Sequence, residues 1–170
     1  MAKIGLFFAT QTGKTEGVAE MIKDELGDNN VDVYDMANAT SGDFDGYYYL
    51  IIGSPTWDIG ELPADWEAFF PELDNINFSD KIVAYFGTGD QVGYADNYMD
   101  AMGILEAKIS ARGGKTVGQW PTTNYDFDAS KAVKNGEFVG LALDEDNQGD
   151  LTEARVKEWL QLIKPSFGLS

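Results

Sequence analysis

The sequence predicts an α/β fold, a doubly wound parallel sheet with helices on both faces. Two observations carry this reading. Short apolar runs alternate along the 170 residues with stretches of helical periodicity, and most of those runs lack a polar side, as strands covered on both faces require. Strand–helix alternation on this scale builds βαβ units, whose strands lie parallel. With 44% hydrophobic residues the chain is long enough for one sizeable core and short for two, so residues 1–170 are read as a single domain.

Each element follows from its own pattern. Ile4 to Ala9 is a buried strand. The next helix carries its apolar stripe on Val18, Ala19, Ile22 and Leu26 and stops at Gly27. Val31 to Met36 alternates apolar with polar residues, which suits a half-exposed strand at the sheet edge. Tyr48 to Gly53 and Ile82 to Gly87 are again buried strands. A helix with Met102, Leu105 and Ile109 on one face ends at Gly113-Gly114. The fifth strand is read in two halves, Lys115 to Gln119 and Phe138 to Leu143, because Trp120 to Glu137 is polar, aromatic and without a period. That stretch is an inserted loop. The last helix presents Val156, Trp159, Leu160 and Ile163, is preceded by Asp150-Leu151-Thr152-Glu153 at capping-box spacing, and stops before Pro165.

Composition narrows the chemistry. There are 29 Asp plus Glu against 12 Lys plus Arg, a net charge of −17. That balance disfavours nucleic-acid and anionic-membrane partners and favours a basic protein partner, although acidic charge also supplies plain solubility. With no Cys and no His, disulfides, iron–sulfur clusters, His- or Cys-ligated haem, the common zinc sites and Ser–His or Cys–His nucleophile pairs are all excluded. Redox chemistry would need an organic cofactor. Met1-Ala2-Lys3 runs directly into the first strand and no apolar run reaches membrane-spanning length, so the expected location is the cytoplasm. The sequons Asn38-Ala39-Thr40 and Asn77-Phe78-Ser79 are then chance matches.

The most informative segment is Thr10-Gln11-Thr12-Gly13-Lys14-Thr15, a hydroxyl-rich loop that leaves the first strand and opens the first helix. Unpaired N–H groups and the helix dipole favour an anion at such a place, and the threonine hydroxyls can add hydrogen bonds. Gly13-Lys14-Thr15 matches the end of the nucleoside-triphosphate loop, but Phe8 stands where that motif needs its first glycine. A single phosphomonoester fits the loop better than a triphosphate. A helix that is merely well capped after a buried strand would show the same letters.

Two further loops fall at the same sheet edge, Ser54-Pro55-Thr56-Trp57-Asp58-Ile59-Gly60 and Gly87-Thr88-Gly89-Asp90-Gln91-Val92-Gly93-Tyr94-Ala95-Asp96-Asn97. Each carries one large aromatic residue. Trp57 and Tyr94 could sandwich a flat ligand whose phosphate lies at residues 10–15. Gly87-Thr88-Gly89 is not a dinucleotide fingerprint, since Val92 occupies the third glycine position. Asp144-Glu145-Asp146-Asn147-Gln148-Gly149 opens like a calcium loop, yet Arg155 stands at the position of the bidentate acid, and the segment is read as an acidic turn.

Taken together these residues resemble the flavodoxins, close to the long-chain kind of cyanobacteria. Leu6 to Thr15 with Ala19 and Ile22 is similar to the family's amino-terminal signature; Pro55-Thr56-Trp57 with Ile59-Gly60, and Gly89-Asp90-Gln91 with Gly93-Tyr94 and Asp96-Asn97, are similar to its two flavin loops. The likeness spans nearly the whole chain, insertion included. It implies a five-stranded sheet of order 2-1-3-4-5 and one non-covalent FMN. The implied cofactor residues are Thr10, Gln11, Thr12, Gly13, Lys14 and Thr15 at the phosphate, Trp57 and Tyr94 over the flavin faces, and Thr56, Asp58, Ile59, Gly60, Thr88, Gly89, Asp90, Asn97 and Asp146 along the ring edges and ribityl chain. No catalytic residue and no metal are implied. The resemblance further implies a monomeric low-potential one-electron carrier standing in for ferredoxin, with photosystem I subunits as donor and ferredoxin-NADP reductase as acceptor. Asp58 stands where relatives usually carry Asn or Gly, so its charge is expected to bear on the potentials. Two other functions would use the same cofactor: an FMN-binding sensor, and a flavin enzyme with its own substrate. A phosphoacceptor receiver shares the sheet order but needs an acidic pair after the first strand, where Phe8-Ala9-Thr10 stands.

Overall fold

The computed structural model describes residues 3–57 and 59–169. Strands β1 (Ile4–Phe8), β2 (Val31–Asp35), β3 (Tyr49–Pro55) and β4 (Ile82–Thr88) form a parallel sheet in the order β2-β1-β3-β4, with the fifth position beyond β4. The edge strand β2 is the half-exposed one, as its alternating pattern requires, and every residue of β1 is buried.

Helix α1 (Lys14–Leu26) buries Val18, Ala19, Ile22 and Leu26, and α5 (Thr152–Ile163) buries Val156, Trp159, Leu160 and Ile163 and packs beside α1. Helix α3 (Asp100–Ala111) lies across the sheet from them. Along β4, Thr88 meets Thr15 of α1, whereas a methyl at its neighbour Gly87 would touch Met99 and Met102 at the start of α3. Successive strand residues face opposite sides, so the two helices cover opposite faces.

The fifth strand is split and the insertion is more ordered than an aperiodic loop. Its first half, β5 (Lys115–Val117), pairs with residues 82–84 of β4, and its second, β9 (Leu141–Leu143), pairs with residues 86–88. Between them β6 (Trp120–Pro121), β7 (Val133–Lys134) and β8 (Glu137–Phe138) make a small antiparallel sheet. Phe138 therefore belongs to the insertion and not to the fifth strand. It is drawn there by an aromatic cluster with Tyr98, Tyr125 and Phe127, which an apolar run alone does not reveal.

Two details of helix placement differ from the sequence reading. Helix α2 (Ala64–Phe69), followed by a 3₁₀ turn over Phe70–Asn75, is an added element that buries Trp66, Phe69 and Leu73. The capping box at Asp150 to Glu153 does not form. The short helix α4 (Glu145–Gln148) runs on into a 3₁₀ turn (Gly149–Leu151), and Gly149 O accepts the Thr152 N–H, so α5 begins without a side-chain cap.

Candidate functional site

Parallel topology brings the ends of β1, β3, β4 and β9 to one edge, and a cleft of about 450 Å³ opens there. It is lined by Gln11, Thr12 and Lys14 from the first loop, Pro55, Thr56 and Trp57 from the second, Thr88, Gly89, Asp90 and Tyr94 from the third, and Glu145 and Asp146 from α4.

The first loop leaves α1 open to an anion. Gly13 sits at the helix start with φ 87° and supplies no capping side chain, and the leading N–H groups of any helix have no partner from within it. The hydroxyls are placed unequally. Thr12 faces the cleft, Thr10 Oγ1 accepts the Gly13 N–H at 2.8 Å, and the Thr15 hydroxyl is buried 3.0 Å from that of Thr88. Gln11 also works structurally, its Oε1 accepting the Ala64 N–H at the start of α2. Lys14 Nζ reaches Asp146 Oδ1 at 2.6 Å across the cleft.

The second loop is closed by an antiparallel bridge in which Trp57 and Glu61 exchange two backbone hydrogen bonds of 2.8 Å. Gly60 makes the return possible: its φ is 76°, and a methyl there would sit 2.6 Å from Asp100 Oδ2. Thr56 continues the β3–β4 ladder by donating to Thr88 O, and its hydroxyl accepts the Ala101 N–H of α3. Ile59 is exposed beside Trp57, outside the cleft lining. Asp58 lies outside the described residues.

In the third loop Asp90 Oδ1 accepts the N–H groups of Val92 and Gly93, a local turn that fixes the chain just ahead of Tyr94. These bonds, the Asn147 amide and the Lys14 charge hold the Asp90 carboxyl below its ordinary pKa. Asn97 does not line the cleft; its Nδ2 donates to Asp100 Oδ2 at 3.2 Å. The insertion is tied to this loop and to the start of α3: Asp126 N donates to Gln91 Oε1, Asp128 and Ala129 N to Ala95 O, and Lys131 N to Asp100 Oδ1 of α3. Trp57 and Tyr94 are 43% and 47% exposed, so two large half-exposed rings from separate loops stand at the cleft.

Ten of the residues named from sequence line the cleft: Gln11, Thr12, Lys14, Thr56, Trp57, Thr88, Gly89, Asp90, Tyr94 and Asp146. Thr10, Gly13, Thr15, Gly60 and Asn97 support its walls, as the contacts above show. Four residues that the sequence places in the second loop or in the acidic turn, without a site role, join the site here: Pro55 and Glu145 in the lining, and Asp144 and Asn147 behind it. Asp144 is fully buried and its carboxylate accepts four N–H donors, two from Gln91 and two from Asn147. The signal for this group was its place at the carboxyl end of the last strand, the same edge as the other loops.

The family model described as Flavodoxin matches residues 6–159. The chain is 63% identical over 167 residues to a flavodoxin of Nostoc sp. (strain PCC 7120), covering 98% of both chains. It is 66% identical over 166 residues to a flavodoxin of Synechocystis sp. (strain PCC 6803), covering 97% of this chain and 98% of the other. A crystal structure of Fusobacterium nucleatum flavodoxin bound to flavin mononucleotide superimposes with a TM-score of 0.93 at 32% identity, covering 98% of this chain and 99% of that one.

Proposed function

We propose that this chain, which belongs to the flavodoxin family, is a single-domain electron carrier that binds one FMN in the cleft described above. The observation that carries the reading is the meeting, in one cleft, of an uncapped helix N-terminus with two half-exposed aromatic rings from different loops. A phosphate requires the first and a flat ring system requires the second.

In this reading Thr10, Gln11, Thr12, Gly13, Lys14 and Thr15 hold the phosphate, with Thr12 and Lys14 reaching it from the cleft side. Trp57 and Tyr94 cover the ring faces, excluding water. Thr56, Thr88, Gly89, Asp90, Asn97 and Asp146 line or support the polar edge. Bound FMN supplies the reversible electron chemistry, which the Cys- and His-free chain lacks. Asp90, Glu145 and Asp146 stand at the cleft and raise the cost of adding negative charge there, which favours a low potential. The acidic surface selects basic redox proteins in the cytoplasm; photosystem I subunits as donor and ferredoxin-NADP reductase as acceptor, in place of ferredoxin, are the partners this reading assigns.

Titration of the apoprotein with FMN tests it. Stoichiometric quenching of flavin fluorescence, followed by reduction of the bound flavin and its reoxidation by a ferredoxin-NADP reductase, is the expected result. A chain that rejects FMN removes the proposal, and one that binds FMN but exchanges no electrons with any redox protein becomes a sensor.

A further inference from the structure

We propose that Asn147 is a positioning residue of the cofactor site, its side-chain amide bridging Asp90 and Asp144 and so tying the loop that carries Tyr94 to the segment that follows β9. The proposal rests on the FMN reading above and deepens it. Asn147 Nδ2 donates to Asp90 Oδ1 at 2.8 Å and to Asp144 Oδ2 at 2.9 Å, and its backbone N–H donates to Asp144 Oδ1 at 2.9 Å. A carboxamide facing two carboxylates can bond to both only through its nitrogen, which has one hydrogen for each. The orientation of the amide is thereby set by chemistry.

What the bridge holds is the third loop. The Asp90 oxygen that receives the amide also receives Val92 N–H and Gly93 N–H, next to Tyr94. Asp144, buried at the other end, grips Gln91 by its backbone and its side chain. Two like charges brought to one amide repel each other, and the shared donors offset that repulsion. Without the amide the carboxylates separate, and the Tyr94 loop moves with Asp90. The charged groups on the surrounding elements include Lys14 on α1, Glu145 and Asp146 on α4 and Arg155 on α5, with Lys14 engaged by Asp146 and Arg155 donating to Gln148 beside Asn147.

The test measures the rate of FMN release from the holoprotein for wild type, Asn147→Ala, Asp90→Ala, the double variant and Asn147→Asp, with thermal melting of each apoprotein alongside. Asn147→Ala removes both amide bonds, and FMN release should rise about tenfold, the lower end of what the loss of the charge-assisted bond to Asp90 gives, because the site is solvent-accessible. The double variant should be no faster than Asp90→Ala, because both changes cut the same link. Asn147→Asp places a third carboxylate beside the pair, so it should exceed Asn147→Ala at neutral pH and converge on it as the carboxylates protonate. Release unchanged in Asn147→Ala, effects of the two single changes that multiply, or release that merely tracks apoprotein melting would each overturn the proposal while leaving FMN binding intact. A wild-type chain that binds no FMN overturns both.

Discussion

Thr15 and Thr88 meet hydroxyl to hydroxyl at 3.0 Å, both buried, so the open end of α1 is joined directly to the strand end that floors the cleft. The contact couples the anion loop to the loop that carries Tyr94. Thr88→Val keeps the shape but leaves the Thr15 hydroxyl without this partner, and the apoprotein should lose about 1–2 kcal/mol in urea unfolding. An unchanged unfolding midpoint would mean that the pair contributes nothing to the fold.

Riboflavin lacks only the phosphate, so comparing it with FMN isolates residues 10–15. The uncapped N-terminus of α1, the Thr12 hydroxyl and Lys14 would all lose their ligand together. Bonds to a charged group contribute roughly 1.5–3 kcal/mol each, and riboflavin should therefore bind at least about a hundredfold more weakly. Equal dissociation constants by fluorescence titration would take the anion role away from this loop.

Association with a basic reductase should slow as salt rises. Glu61, Glu67, Asp96 and Asp126 are exposed and Asp65 is half-buried, available to steer encounter. The Debye length falls from about 30 Å at 0.01 M to about 10 Å at 0.1 M, so steering fades over that range. Stopped-flow rates that ignore ionic strength would reduce these charges to solubility.

At the sheet edge the Tyr47 hydroxyl donates to Asp32 Oδ2 at 2.6 Å, and this bond, followed by Lys3, holds the Asp32 carboxyl below its ordinary pKa. A folded pKa below the unfolded one means that the unfolded chain binds more protons through the acid range. The contribution is complete above the unfolded value and is lost as pH falls through the folded one. Tyr47→Phe should therefore cost about 1 kcal/mol at neutral pH, less where solvent screens the pair. The gap to wild type should close on acidification; a gap that stays constant down to strong acid would assign the cost to packing alone.

The insertion presses closely on α3, where a methyl at Gly103 would lie 2.4 Å from Lys131 O. Gly103→Ala must displace the backbone around Lys131 and with it the bond from Lys131 N to Asp100 Oδ1. A loss of about 1–3 kcal/mol is expected, with faster amide exchange at residues 131–132. Unaltered exchange there would show that the helix shifts instead.

Some of this was legible from the chain and some was not, for identifiable reasons. The strands β1, β3 and β4 were readable because burial on both faces leaves an uninterrupted apolar run. Helix α2 is not legible in the sequence, although Trp66, Phe69, Phe70 and Leu73 carry a helical spacing, because six residues followed by a 3₁₀ turn give too little pattern. Phe138 looked like strand because its run is apolar, and its actual partners lie up to forty positions away, at Tyr98. The acidic stretch 144–149 read as a turn, since nothing local shows that Asp144 is buried and serves Gln91, 53 positions earlier.

By itself the sequence determined the alternation of strands and helices, the hydroxyl-rich loop between the first strand and the first helix, the exclusion of thiol and imidazole chemistry, and the family resemblance. Those are properties of local spacing and residue type, which neighbouring positions dictate. Tertiary structure alone decided which hydroxyls face the cleft, which of the acids is buried, and how the insertion ties down the loop bearing Tyr94. Such features depend on hydrogen bonds between residues far apart in the chain, whose pairing exists only once the sheet has brought its loops to one edge.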